Sequence, residues 1–142
     1  MGKFKYFELH EFIRSNKAKE KKIDNTPTFE AVDHLCELTE TILDPMRAAY
    51  GKPIYVSSGF RCDLLNKAVG GSATSVHPLG YAADLQADDM EDFKRFVRSW
   101  LITNRIRFDQ CIIESSGGEE WVHIGLYNRK GQQRGMLFSL DI

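Results

Sequence analysis

The stretch Asp109–Leu126, DQCIIESSGGEEWVHIGL, decides the fold class of this chain. Two runs rich in β-branched and aromatic residues flank Gly117-Gly118, and a glycine pair between such runs predicts a β-hairpin with a two-residue turn. That turn predicts these cross-strand pairs: Ile113 with Val122, Glu114 with Trp121, and Ile112 with His123. Glu114 and His123 then share one face of the hairpin. The other face carries apolar side chains suited to a core: Cys111, Ile113, Val122 and Ile124.

Helical patterns dominate the chain before this hairpin. Thr26-Pro27 is typical of a helix start, and apolar residues then recur at helical spacing as far as Gly51. We therefore predict a long helix that starts at this pair and bends near Pro45. Tyr6–Arg14 is predicted to be a short packing helix, and the charged run at 17–22, KAKEKK, a solvated connection.

Shorter elements are predicted on both sides of a loop rich in small residues. Ile54–Val56 reads as a strand, 64–68 as a brief helix closed by Gly70-Gly71, and 72–80 as a loop broken by Pro78 and Gly80. The remaining predicted elements are a strand at 82–87, a helix beginning near Asp88, and a last strand at 135–140. Helices first and strands later predict a single α+β domain, 1–142, with a largely antiparallel sheet flanked by helices.

Length and charge exclude several classes of protein. A chain of 142 residues with a formal net charge of −1 has no overall field that attracts nucleic acid. No apolar run approaches the roughly 20 residues that cross a bilayer, and the N-terminal MGKFKYFELHEF has no apolar core of a secretory signal. We expect cytoplasmic synthesis without a signal peptide, a monomer, no nucleic-acid partner and no membrane insertion. The three cysteines lack a CxxC pair and are expected to be buried thiols.

Three residues are candidate metal ligands. His77 and Asp84 flank a loop that enters a strand, and His123 lies in the predicted hairpin. Two imidazoles and one carboxylate are the ligands of a catalytic zinc, which keeps a fourth position for water and lowers the pKa of that water to about 7. This spacing alone is a weak signal, and it predicts one Zn²⁺ per chain only together with the surrounding sequence.

The surrounding sequence resembles a known family. In SSGFRCDLLNKAVGGSATSVHPLGYAADL, residues 57–85, the pattern SxHxxGxAxD is complete, and WVH follows at 121–123. This order is similar to that of the zinc D-Ala-D-Ala carboxypeptidases and endopeptidases, and the resemblance is strongest over 54–126. The residues that fill the pattern are Ser75, His77, Gly80, Ala82 and Asp84.

The resemblance implies a zinc peptidase that hydrolyses peptidoglycan stem peptides, either as a carboxypeptidase or as a lysin-type endopeptidase. Its expected place of action is the cell wall, reached after release from the cell. The same scaffold resembles the hedgehog signalling domain, so a zinc-stabilised binding domain without catalytic turnover is the alternative. Which bond is cut stays open.

Peptide hydrolysis needs a carboxylate that accepts and returns a proton. Glu114 and Glu120 are both candidates by resemblance to different branches of the family, and the predicted register favours Glu114 because it shares a face with His123. By the same resemblance Arg61, in SGFR, is expected to stabilise the oxyanion. Ser75 is expected either to contact the substrate or to hold the ligand loop through a hydrogen bond to backbone, and Tyr81 and Trp121 are further candidate substrate-binding residues. Asn66 and Gln110 are expected to hold loop backbone.

Overall fold

The computed structural model describes residues 4–142, so the first three residues of the predicted domain lie outside the described residues. The helices are α1 (Leu9–Ile13), α2 (Asn16–Lys21), α3 (Phe29–Leu38), α4 (Asp44–Tyr50), α5 (Asp63–Ala68) and α6 (Met90–Thr103). A π-helical turn, Thr39–Leu43, joins α3 to α4, and a 3₁₀ turn, His77–Leu79, precedes the second strand. Within residues 4–142, none of the helices combines the length and the apolar character of a membrane span.

The strands form one mixed sheet. They are β1 (Tyr55–Ser58), β2 (Ala82–Gln86), β3 (Gln110–Ser116), β4 (Glu119–Gly125) and β5 (Met136–Asp141), in the order β1-β2-β4-β3-β5. The first three neighbouring pairs are antiparallel, and β5 lies parallel to β3 at the sheet edge. The α+β class and the largely antiparallel sheet predicted from the sequence are confirmed.

The predicted hairpin register is confirmed at each of its three pairs. Gly117 and Gly118 both have positive φ, 58° and 85°, as a two-residue hairpin turn requires. Cys111, Ile113 and Val122 are buried in the core, where this sheet face packs with apolar side chains of α3 and α6. The opposite face of β3 and β4 is therefore free to carry polar side chains.

Several predicted helix boundaries are wrong. The long helix begins at Phe29, because Thr28 caps it by accepting a hydrogen bond from the Ala31 N–H, whereas Thr26 bonds back to Asp24. The charged run is helix α2 and not a connection: Ser15 caps it and Ala18 is buried beneath it. The predicted packing helix is limited to α1.

At the place where the sequence predicts a bend, just before Pro45, the structure has the π-helical turn Thr39–Leu43. Proline has no N–H to donate into the preceding turn, and the Asp44 N–H bonds to the Thr39 carbonyl, five residues back. The helix then continues to Tyr50 and ends at Gly51 in the left-handed conformation, with φ 74°. The predicted C-terminal limit is thus correct.

Candidate metal centre and active site

Two of the predicted ligands are neighbours on the polar face of the sheet. Asp84 of β2 pairs with His123 of β4, and His123 pairs in turn with Ile112 of β3. Residues paired across neighbouring strands project from the same face. The 3₁₀ turn places His77 against this pair, so His77 and Asp84 meet a residue that follows Asp84 by 39 positions.

The ligand atoms are close enough to share one ion. The Oδ1 atom of Asp84 lies 3.0 Å from Nδ1 of His123 and 3.4 Å from Nε2 of His77. One candidate ligand atom from each residue lies within 4.8 Å of the others. All three residues are buried, with exposed fractions of 2% for His77, 7% for Asp84 and 9% for His123.

A backbone contact fixes the tautomer of His77. Its Nδ1 lies 2.6 Å from the Gly59 carbonyl oxygen, which can only accept a hydrogen bond. Nδ1 therefore carries the proton, and the lone pair of Nε2 faces Asp84. The backbone N–H of His77 also donates to Ser75 Oγ at 3.2 Å. Ser75 thus holds the turn that presents the imidazole.

Electrostatics favour an ionised Asp84. Burial alone would raise the pKa of this carboxyl, but the facing imidazoles of His77 and His123 outweigh burial and hold the pKa well below its ordinary value. Burial lowers the pKa of His77, which favours the neutral imidazole that a metal needs.

The site fits a zinc ion by its donor set. Two imidazole nitrogens and one carboxylate oxygen converge in a buried position, and the proton on His77 Nδ1 is bonded to backbone rather than aimed at the others. These are donor types that Zn²⁺ takes in catalytic sites, where three protein ligands leave a further position open. His77, Asp84 and His123 are therefore positioned to bind a metal.

Close packing behind the 3₁₀ turn fixes its position. Gly80 ends the turn with φ 81°, and a Cβ there would collide with the Ala31 carbonyl of α3. His34, also on α3, contacts the Leu79 carbonyl through Nδ1 at 2.6 Å. The ring of Tyr81 stacks on His34 with 3.9 Å between centroids. Tyr81 therefore lies outside the group of site residues and packs the turn against α3.

Glu114 stands beside the three candidate ligands, and Glu120 does not. Oε1 of Glu114 accepts a hydrogen bond from Nε1 of Trp121 at 2.7 Å and lies 4.0 Å from Nδ1 of His123. Glu120 projects from the other face of β4, where its Oε2 lies 2.8 Å from Nζ of Lys94. The structure thus brings Glu114 and Trp121 to the site and leaves Glu120 in a half-buried ion pair with Lys94 on the other face.

Arg61 supplies a cation at the same point. Its backbone N–H donates to the His77 carbonyl at 3.3 Å, and its Nε is buried without a hydrogen-bond partner among the described residues. Burial lowers the pKa of the guanidinium, while the charges of Asp84 and Glu114 act in the opposite direction. A buried donor without a partner indicates a position for a bound acceptor.

These side chains open into a cleft of about 1060 Å³. The predicted site residues that line it are Arg61, Ser75, His77, Asp84, Glu114, Trp121 and His123. Gln110 lines it as well, and Asn66 supports its edge by donating from Nδ2 to the Ser72 carbonyl at 3.0 Å. Sequence reasoning missed the wall formed by β5, although alternating Phe138, Leu140 and Ile142 are a signal that could have revealed it.

Two histidines and an aspartate on converging elements, with a carboxylate and a guanidinium beside them, define the site of a metal-dependent hydrolase. The model of the family described as Peptidase M15 matches residues 5–125, which is most of the chain. The chain belongs to the peptidase M15 family.

A relative from Streptomyces albus G agrees with this assignment. Its name is zinc D-Ala-D-Ala carboxypeptidase, and it is 52% identical to this chain over 46 residues. The match covers 32% of this chain and 18% of that protein. The chain therefore spans well under two thirds of the length of the relative that it matches.

Proposed function

We propose that this protein is a zinc peptidase that hydrolyses peptidoglycan stem peptides, with His77, Asp84 and His123 as the zinc ligands. The observation that carries the proposal is the convergence of the three ligand atoms beside Glu114 and Arg61. The peptidase family and the name of the Streptomyces albus G relative support the reaction and the kind of substrate.

Zinc bound at this site would supply an activated water and a Lewis acid for the scissile carbonyl. Glu114 accepts a proton from the attacking water and gives it to the leaving amine nitrogen as the C–N bond breaks. The carboxylate is thereby returned to its ionised form. The Trp121 N–H uses one lone pair of Glu114 Oε1, so the carboxylate keeps acceptor capacity for this proton. Trp121 keeps the carboxylate in place during the transfer.

Arg61 stabilises the oxygen that becomes negative when water adds to the carbonyl. Its guanidinium lines the cleft together with His77 and Glu114, and its unpartnered Nε needs an acceptor. A cation in a site with little water stabilises developing charge more than it stabilises the neutral carbonyl. The arginine therefore lowers the energy of the transition state relative to bound substrate.

The experiment is to incubate the purified, zinc-loaded protein with muropeptides and read the products by mass. Loss of a terminal residue would identify a carboxypeptidase, and internal cleavage an endopeptidase. Cleavage should stop after removal of metal with a chelator and return on addition of zinc. Intact substrates in the presence of bound zinc would contradict the proposal and favour the hedgehog-like binding domain.

A further inference from the structure

Strand β5 and the connection before it line the cleft, and both lie beyond the part of the chain matched by the family model, which ends at residue 125. Strand β5 adds apolar side chains to the polar face of the sheet: Phe138 pairs with Ile112, and Leu140 pairs with Glu114. Phe138 is 38% exposed and Leu140 45% exposed, and both line the cleft. The face that bears the proposed metal centre thus continues into an open apolar strip.

The connection between β4 and β5 adds positive charge to the same cleft. Asn128 builds a tight turn, because its Oδ1 accepts hydrogen bonds from the N–H groups of Lys130 and Gln132. This turn presents Arg129 and Lys130, and both line the cleft. Arg129 donates from Nη2 to the Ser75 carbonyl at 2.8 Å, so it joins the C-terminal segment to the loop before His77.

These two cations lack acidic partners, unlike their neighbour. Arg134 donates from Nε and Nη2 to the two carboxylate oxygens of Asp109, at 2.7 and 2.9 Å, and its charge is thereby compensated. Among residues 4–142, no carboxylate forms an ion pair with Arg129 or Lys130. The positive charge that lines this cleft is therefore available to an anion.

The spacing of the strands sets the distance between the apolar strip of β5 and the bond that is cleaved. Strand β5 lies two strands from β4, which carries His123, and neighbouring strands are about 4.8 Å apart. The strip therefore lies roughly 10 Å from the proposed metal centre. An extended peptide covers about 3.3–3.6 Å per residue, so a substrate that crosses the sheet would reach β5 about three residues from the cleaved bond.

We propose that Arg129, Lys130, Phe138 and Leu140 form a substrate subsite, which we name the C-terminal subsite. It binds a peptide segment that combines a carboxylate with an aliphatic part, two or three residues from the cleaved bond. The two cations bind the carboxylate, and the apolar strip of β5 contacts the aliphatic part. This inference rests on the proposed peptidase function and names the substrate feature that the site selects.

The test of the cations uses one stem tetrapeptide in three forms: with free carboxylates, with an amidated C-terminus, and with an amidated side-chain carboxylate. We expect one of the two amides to have a kcat/KM lower than the free acid by roughly two- to fivefold, the size of an exposed charge pair. That amide identifies the recognised carboxylate. Lys130→Glu should abolish the preference, and Lys19→Glu, the same charge change on α2 away from the cleft, should retain it.

Equal cleavage of all three peptides by the wild type, or an unchanged preference in Lys130→Glu, would overturn the inference and leave the peptidase function intact. If the zinc-loaded wild type cleaves none of them, the proposed function is wrong. Titration calorimetry with the same peptides then tests whether the subsite binds the carboxylate. Tighter binding of the free acid by the wild type but not by Lys130→Glu supports it. Equal binding of all forms overturns it.

The apolar strip has its own test. Phe138→Thr keeps a residue suited to a strand, and we expect it to raise KM for the tetrapeptide several-fold with kcat little changed. Met136→Thr is the matched control, because Met136 is also 38% exposed on β5 but is not among the residues that line the cleft. An equal rise in KM in both variants would overturn the role of the strip.

Discussion

Glu114 and Glu120 lie on opposite faces of one hairpin, and this difference separates their functions. Glu114 bonds to Trp121 beside the candidate ligands, whereas Glu120 bonds to Lys94. We predict that Glu114→Gln keeps zinc and fold but lowers kcat by roughly 10²–10⁴-fold, because glutamine cannot accept the proton. Steady-state kinetics on a synthetic stem peptide measures the loss.

Glu120→Gln is the matched control for Glu114. The substitution makes the same change of charge on the same strand pair, and it removes one partner of a half-buried ion pair on the face away from the candidate ligands. We expect its kcat to stay close to that of the wild type. Full activity of Glu114→Gln together with loss of activity in Glu120→Gln would show that Glu120, and not Glu114, transfers the proton.

Arg61 is expected to act in the transition state rather than in ground-state binding. An oxyanion gains its charge along the reaction path, so loss of the guanidinium should appear in kcat as well as in KM. We predict that Arg61→Ala lowers kcat by roughly 10²–10³-fold. Arg61→Lys should show a smaller defect, because it keeps the charge and loses the planar pair of donors. A change in KM alone would instead make Arg61 a substrate anchor.

At the scale of elements, the 3₁₀ turn depends on its contact with α3. Gly80 and Gly51 both have positive φ, 81° and 74°, but a Cβ on Gly80 would collide with Ala31 and a Cβ on Gly51 meets nothing within 4 Å. Alanine at either position carries a backbone cost of about 1–2 kcal/mol. Alanine at position 80 adds the collision, for which overpacking costs of about 1–3 kcal/mol are typical.

We therefore predict that Gly80→Ala lowers the free energy of unfolding more than Gly51→Ala and weakens zinc binding, because it displaces the turn that presents His77. Gly51→Ala should leave zinc binding unchanged, since it only ends α4. Urea denaturation and zinc titration of both variants measure these effects. Equal losses of stability, with unaltered zinc affinity in both, would show that the contact with α3 does not position the ligand turn.

The elements that the sequence predicted well have strong local signals. The hairpin register followed from alternating side chains and a glycine pair, and that register correctly separated Glu114 from Glu120. The start of α3 was missed because two threonines, at positions 26 and 28, can both cap a helix, and only the fold decides between them.

Long-range packing accounts for what the sequence did not predict. The parallel pairing of β5 with β3 and the charged wall at Arg129 and Lys130 depend on how distant segments meet. Tyr81 follows the loop that holds His77, yet its ring packs on His34 of α3. Spacing along the chain does not show whether the ring of Tyr81 packs against α3 or lines the cleft.

At the scale of the whole molecule, the proposed metal would join β4 to a turn and a strand that come much earlier in the chain. His77 comes from the 3₁₀ turn, Asp84 from β2 and His123 from β4. Binding to the folded state alone stabilises that state by about 2.7 kcal/mol when the free metal is at 100 times its Kd. We predict that removal of metal lowers Tm by on the order of 10 °C and that added zinc restores it. A Tm independent of zinc would contradict this coupling.

The metal content of the purified protein tests the central claim most directly. Elemental analysis of protein prepared without added metal should give one zinc per chain for the wild type and far less for Asp84→Ala, with circular dichroism confirming that the variant is folded. Asp84 is the informative position because its carboxylate lies between both histidines. A folded Asp84→Ala variant that retains full zinc occupancy, or a wild type without zinc that still cleaves stem peptides, would contradict the account.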